Sequence, residues 1–278
     1  MMKGYSTLVS IFIAVSLLFV AAHTRALPVN AAESKLVTIK TPRGVKQSFI
    51  LIRPEKPVAS VILFAGSHGV LGLKSTRKMK WGTNNFLVRS RNLFAAQNLM
   101  VAVVDAPSDK QAKMNAKFRM SPAHAGDIAA VANYLKGQAN VPVWLVGTSM
   151  GTFSAAGGAI SSRGINGLIL TSTVTRARSK WNIAKSHPHG VASMPLQKVA
   201  MPSLIVSHRK DGCVITPASD AGKLRSRLKR APKVKVVVLK GGSKPRAGPC
   251  KSLSQHGFLG IEAQAVGAIA EFIRANSR

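Results

Sequence analysis

The feature that most constrains this chain is the run Val143-Trp144-Leu145-Val146-Gly147-Thr148-Ser149-Met150-Gly151, with a stretch of small residues after it from position 152 to 160. An apolar, β-forming run leads into Gly-x-Ser-x-Gly, and the small-residue stretch reads as a helix. A serine at such a turn adopts strained backbone geometry, and the glycines on either side let strand and helix approach closely. Gly-x-Ser-x-Gly is common by itself; the strand before it and the helix after it give it the context of a nucleophile elbow. In that context the Ser149 hydroxyl stands clear at the end of a sheet and the Met150 N–H points into the same space.

The rest of the chain supplies a sheet for that turn. Apolar, β-branched runs fall at 35–39, 47–52, 60–65, 100–105, 142–147, 167–172, 203–207 and 233–239. Helical patterns fall between them at 85–97, 122–136, 150–162, 217–230 and 259–275. Such alternation predicts βαβ units and a mostly parallel sheet, and the unbroken apolar character of the middle strands predicts helices on both faces. The first two strands read as a leading antiparallel meander. Segments 66–83 and 175–198 fit no core element, and 107–121 joins them as a segment that follows a strand. In open α/β sheets, segments after strand C-termini line the ligand crevice, so these three are the expected walls of a site. Segment 175–198 is long enough for a small flap and too short for a lid domain.

Residues 1–31 stand apart from this pattern. Lys3 precedes an apolar stretch from Tyr5 to Ala22, interrupted only by Ser6, Thr7, Ser10 and Ser16, and Val29-Asn30-Ala31 fits a cleavage site, with Ala22 and Ala26 as alternative cut points. This reads as a secretory signal peptide, with an uncleaved anchor as the alternative because the stretch is about the minimum length for a span. Residues 32–278 are then one domain, exported to a periplasm or secreted, with no transmembrane segment after cleavage.

The formal net charge is +31, from 40 basic and 9 acidic residues; removing residues 1–31 deletes Lys3 and Arg25 and no acid, leaving +29. Such a charge attracts anionic surfaces and polyanions without specifying one. The cations recur in dispersed groups, Lys74 to Lys80, Lys110 to Arg119 and Lys223 to Arg230, and the last lies on a predicted helix face. Their spread predicts a broad field that governs where the protein sits more than what it acts on. Aromatic residues make up 5% of the chain, leaving little material for base-stacking platforms, so no dedicated nucleic-acid partner is expected. The two cysteines, Cys213 and Cys250, suggest one disulfide in an exported chain, with two buried thiols as the alternative. Such a bridge is worth about 4 kcal/mol in the chain-entropy model.

A serine nucleophile needs a base to take its proton and an acid to orient the base. Beyond Ser149 the only acids are Asp211, Asp220, Glu262 and Glu271, and the last three fall within predicted helices. Asp211 follows the strand at 203–207, in His208-Arg209-Lys210-Asp211-Gly212; its plainer alternative is a turn residue. After Asp211 the one histidine is His256, in the loop before the last helix. His187-Pro188-His189 has no neighbouring cysteine or carboxylate, and Gly241-Gly242 lacks the following helix of a dinucleotide fingerprint, so neither metal nor cofactor is expected. Asp105 and Asp127 read as structural, paired with the many cations.

The elbow, the Asp211 loop and the His256 loop, in that order, resemble the α/β-hydrolase superfamily over essentially the whole of residues 32–278. The resemblance implies an α/β-hydrolase fold with an eight-stranded, mostly parallel sheet and a minimal cap. It implies Ser149 as nucleophile, His256 as base and Asp211 as its orienting acid. The segment Ser60 to Gly69 is similar to the strand and His-Gly-x turn that carries the first oxyanion-hole donor; Ala65 stands where the histidine is usual, leaving the backbone role to Ser67, with Met150 as the second donor. His68 is then a loop residue beside the site. A Cys213–Cys250 bridge would tie the acid loop to the base loop. The implied function is an exported serine hydrolase, carboxylesterase-like, acting on a small-molecule ester or related acyl bond. The alternative is a basic exported protein on the same scaffold that holds anionic polymer or envelope surface.

Overall fold

The computed structural model describes Met1 and residues 32–277. Apart from Met1, the leader expected over residues 1–31 lies outside the described residues. Eight strands form one sheet: β1 Glu33–Lys40, β2 Lys46–Arg53, β3 Ala59–Phe64, β4 Leu99–Val104, β5 Val143–Thr148, β6 Gly167–Thr171, β7 Ser203–His208 and β8 Val234–Leu239. Their order across the sheet is β1-β2-β4-β3-β5-β6-β7-β8. β1 and β2 pair antiparallel, with Glu33 opposite Arg53 and Lys40 opposite Lys46, and β2 is antiparallel to β4. All later neighbours are parallel.

Every position of β3, β4, β5, β6 and β7 is buried. Their continuous apolar sequences follow from this, because both faces are covered. The helices are α1 Phe86–Arg89, α2 Arg91–Ala95, α3 Ala116–Arg119, α4 Pro122–Gln138, α5 Gly151–Ser161, α6 Ala221–Arg227 and α7 Glu262–Ala275. Alternate strand side chains go to opposite faces. Ile62, Phe64 and Leu145 meet Ile128 and Val131 of α4 and Phe153 of α5. Val61, Leu63, Trp144 and Val146 meet Phe94 of α2 and Val266, Ile269, Phe272 and Ile273 of α7. At the sheet edges β1 and β8 are more exposed and carry Lys35, Lys40 and Lys235, charges that discourage edge-to-edge pairing.

The helices differ from the expected ones at their ends. The pattern at 85–97 is two helices, broken at Ser90, whose φ of −90° and ψ of 2° leave the helical basin. Arg89, the last residue of α1, reaches to Glu262 and to the Asn84 and Gly257 carbonyls. The last helix begins at Glu262 rather than 259, because Gly260 takes a φ of +81°, which a right-handed helix does not admit. α6 ends at Arg227, short of Pro232, which biases Ala231 away from the helical region. A short helix, α3, occupies the segment read as loop; Asn115 caps it by accepting the Phe118 N–H at 2.9 Å. Segment 175–198 is a small flap with two 3-10 turns, Gly190–Ser193 and Leu196–Lys198.

In the first turn of α4, His124 is 2% exposed and packs its ring against Phe118 and Phe64. Neither ring nitrogen has a hydrogen-bond partner among the described residues. Burial, with the nearby Arg119 and Arg43 charges, lowers its pKa from 6.5 to about 3. The unfolded chain therefore takes up a proton here below pH 6.5 while the folded chain does not until near pH 3, and stability falls as pH falls through that window. Between pH 6.5 and 4.5 this one site accounts for roughly 2–3 kcal/mol. Urea unfolding of His124→Leu at both pH values should show that much less acid destabilisation than wild type. An equal loss in both proteins would remove His124 as the cause.

Candidate active site

The turn after β5 is built by three close approaches. Ser149 has a φ of +52°, the left-handed region that non-glycine residues rarely adopt. It is held there by its N–H, which donates to the Thr171 carbonyl of β6 at 3.1 Å, and by its carbonyl, which accepts the Thr152 N–H at 3.0 Å. A Cβ on Gly151 would collide with the Phe64 carbonyl at the end of β3, and one on Gly147 would collide with Gly151. A Cβ on Gly66 would stand 3.0 Å from the Ser149 Cβ. The end of β3, the serine turn and the start of α5 are thus pressed together, and only glycine fits between them.

Asp211 follows β7 and His256 rides a 3-10 turn, Gln255–Gly257, before α7. His256 Nδ1 lies 3.0 Å from Asp211 Oδ2, with the two side chains 6% and 1% exposed. An ionised carboxylate only accepts, so Nδ1 carries the proton and Nε2 is left as the basic nitrogen. Asp211 Oδ1 accepts the Cys213 N–H at 2.9 Å, and Oδ2 also accepts the Thr216 hydroxyl at 2.9 Å. The histidine is fixed through its backbone as well. The Ser254 hydroxyl accepts the His256 N–H, the Ser172 hydroxyl donates to the His256 carbonyl at 2.8 Å, and Arg89 donates to the Gly257 carbonyl. Arg89 in turn pairs with Glu262 at 2.8 Å, binding the turn to the start of α7.

Ser149 and His256 line one cleft of about 470 Å³, with no hydrogen bond between their side chains among the described residues. Gly66, Ser67, Asn85, Met150, Arg178 and Trp181 are among its other lining residues. Among the described residues neither the Ser67 N–H nor the Met150 N–H donates to a protein acceptor. Ser67 has a φ of +53°. Its carbonyl is held by Arg119, a fully buried side chain that also donates to Ser154 of α5 at 3.0 Å and to the Met114 carbonyl. Burial lowers the Arg119 pKa to about 10, and no carboxylate faces it among its hydrogen-bond partners.

Asp105 is structural, as the sequence suggests, but its partners are amides and not cations. Its oxygens accept the N–H groups of Leu71 at 2.6 Å, Leu73 at 2.9 Å and Ala106 at 2.7 Å, shaping segment 66–83. Asp127 does pair with a cation, Arg43, at 2.7 Å. His68 accepts the Val70 N–H and sets its ring edge against Trp81. His187 lies on Ser186, and among the described residues no three His, Cys, Asp or Glu side chains group as a metal would require. All three expected wall segments line the cleft or its extension. A fourth wall, Cys250, Lys251 and Ser252 with Asn85, is not apparent from sequence. Nor are Thr216, Arg89 and Arg119; only Asn85, a cap residue before an apolar run, leaves a sequence signal.

Cys213 and Cys250 are bonded to each other, with Cα atoms 4.6 Å apart. The bond joins the loop whose amide holds Asp211 to the loop that leads to His256.

This architecture is the α/β-hydrolase fold. The chain is similar to the Pyrococcus furiosus esterase Pf2001, at 16% identity and a TM-score of 0.58 over 88% of this chain and 93% of that one. It is similar to a cold-adapted esterase from an Arctic intertidal metagenomic library, at 12% identity and a TM-score of 0.56 over 90% and 96% of the two chains. It is also similar to dienelactone hydrolase from Anabaena variabilis, at 11% identity and a TM-score of 0.57 over 89% and 99%. No protein-family model matches the chain, and no curated protein matches it by sequence.

Since the disulfide restrains the unfolded chain across 37 positions, the Cys213→Ala/Cys250→Ala variant should be less stable by about 2–4 kcal/mol in chemical denaturation. Equal stability of the variant and the oxidised wild type would contradict this.

Proposed function

We propose that this chain is an exported serine hydrolase that cleaves a carboxylic ester or a related acyl bond. The observation that carries the reading is the His256–Asp211 hydrogen bond in the cleft that Ser149 enters from its strained turn. Ser149 Oγ attacks the acyl carbon as His256 Nε2 takes its proton. Asp211 keeps the imidazole in the tautomer with Nδ1 protonated and stabilises the imidazolium that forms. The tetrahedral oxyanion lies between the Ser67 and Met150 N–H groups, which have no protein acceptor to give up. Collapse breaks the ester C–O bond, and His256 returns the proton to the departing alkoxide. Water, deprotonated by His256, then attacks the acyl-enzyme and releases the acid and Ser149. An alcohol in place of that water gives acyl transfer by the same steps.

Esters are favoured over peptides because the cleft is bounded by short segments and a small flap, with no separate domain among the described residues to select a polypeptide. Likeness to esterases supports the reading at the level of fold, which by itself does not assign chemistry. The disulfide suggests a compartment outside the cytoplasm, and the signal-like residues 1–31 support export to a periplasm or beyond. The net charge of +31 favours non-specific residence on anionic surfaces.

Turnover of p-nitrophenyl esters by the purified protein tests this. Ser149→Ala should remove hydrolysis while leaving the unfolding transition in place, and Asp211→Asn should lower kcat by about 10³–10⁴-fold through the wrong imidazole tautomer. Ester hydrolysis by Ser149→Ala at more than a few per cent of wild type would rule out the nucleophile.

A further inference from the structure

The cleft continues past Ser149. A second hollow of about 630 Å³ shares Ser67, Met150 and Trp181 with the first. Met114 and Ala116, each only 3% exposed, lie behind it, and Lys113 and Lys180 rise from two different wall segments. Arg178 and Lys251 line the first hollow. All four cations are exposed, and none forms a salt bridge among the described residues.

A cation in a cleft means little in so basic a chain unless its charge is left uncompensated. Here no acid pairs with these four cations among the described residues. Asp109 and Asp127 hold Arg43, Glu262 holds Arg89, and Asp220 holds Arg176. Glu33 and Glu271 lie beside Lys35 and Lys235 on the edge strands. Asp105 is taken up by three amides, and Glu55 precedes β3, at the opposite end of the sheet from the serine turn. Asp211 and Glu262 lie nearer, but Asp211's oxygens accept from His256, Thr216 and Cys213, and Glu262 holds Arg89 behind the Ser252 and Gly257 carbonyls. A concave surface with charge of one sign and low-dielectric walls concentrates ligands of the opposite sign.

Resting on the ester-hydrolase reading, we infer that the substrate is an anionic ester. Its apolar body lies over Met150 and Trp181, which line both hollows, and its carboxylate, phosphate or sulfate group meets Lys113 and Lys180. The sequence-based expectation that charge governs where the protein sits more than what it acts on is narrowed by this inference: the dispersed cations set location, and these four select what enters.

Matched substrates test the inference. With the anion on the alcohol side, 4-(butyryloxy)benzoate is compared with its methyl ester, and 4-(butyryloxy)phenyl phosphate shows which anion is preferred. With the anion on the acyl side, p-nitrophenyl hydrogen glutarate is compared with p-nitrophenyl butyrate. Each kcat/KM is divided by the substrate's own rate of alkaline hydrolysis. At least one anionic ester should be favoured by roughly tenfold or more at low salt. The preference should shrink between about 20 and 500 mM NaCl as screening lengths fall. Lys113→Glu/Lys180→Glu should abolish the preference, whereas Lys229→Glu/Arg230→Glu, an equal charge change outside the cleft, should keep it. No preference on either side, or equal losses in the two double variants, would overturn the inference. If neutral esters are still cleaved and Ser149→Ala still abolishes that cleavage, only the substrate class has failed. If no ester is cleaved at all, the hydrolase reading fails and this inference with it.

Discussion

The structure depends on how closely the end of β3, the end of β5 and the start of α5 approach one another. Gly66, Gly147 and Gly151 stand where any Cβ would press on a neighbouring backbone or side chain. That packing holds Ser149 in its left-handed turn, and Ser67 lines the same cleft. Ser149 and the start of α5 are therefore one rigid unit with the end of β3, and strain at the turn is held by bonds from β6 and α5. Asp211 and His256 form a second unit, pinned by the Cys213–Cys250 bond and by Arg89. Ser149 and His256 line one cleft.

The chain does this with few acids. Arginine takes much of the work of joining distant segments: Arg43 joins the β1–β2 turn to α4, Arg89 joins α1 to the His256 turn, and Arg176 joins the flap to the start of α6. Arg119 is the extreme case, a buried cation whose hydrogen bonds go to two carbonyls and a hydroxyl. Its guanidinium has donors enough to fix the Ser67 carbonyl, α5 and the Met114 strand of chain at once, which a lysine's point charge could not do.

The strands and the order of the site residues are legible in the sequence because each leaves a local trace. Runs such as Leu99-Met100-Val101-Ala102-Val103-Val104 are uniformly apolar because both faces are covered. Asp211 and His256 stand out by scarcity, in loops after the right strands. Thr216, Arg89 and Arg119 leave no trace, since each acts on a segment far from it in sequence or through an irregular loop, where no periodicity applies. The break at Ser90 is hidden for a related reason: Arg89's partners lie near position 260, out of reach of any local pattern. The cleft's charge is equally hidden, because only the fold decides which cations are left without an acid.

The central claim is that Ser149 is a nucleophile made reactive by His256. Reaction of the purified protein with a fluorophosphonate, followed by peptide mass mapping, measures this most directly. The account predicts one phosphonyl adduct, on Ser149, that forms at a greatly reduced rate in His256→Ala. No adduct, an adduct on another residue, or undiminished labelling of His256→Ala would contradict it.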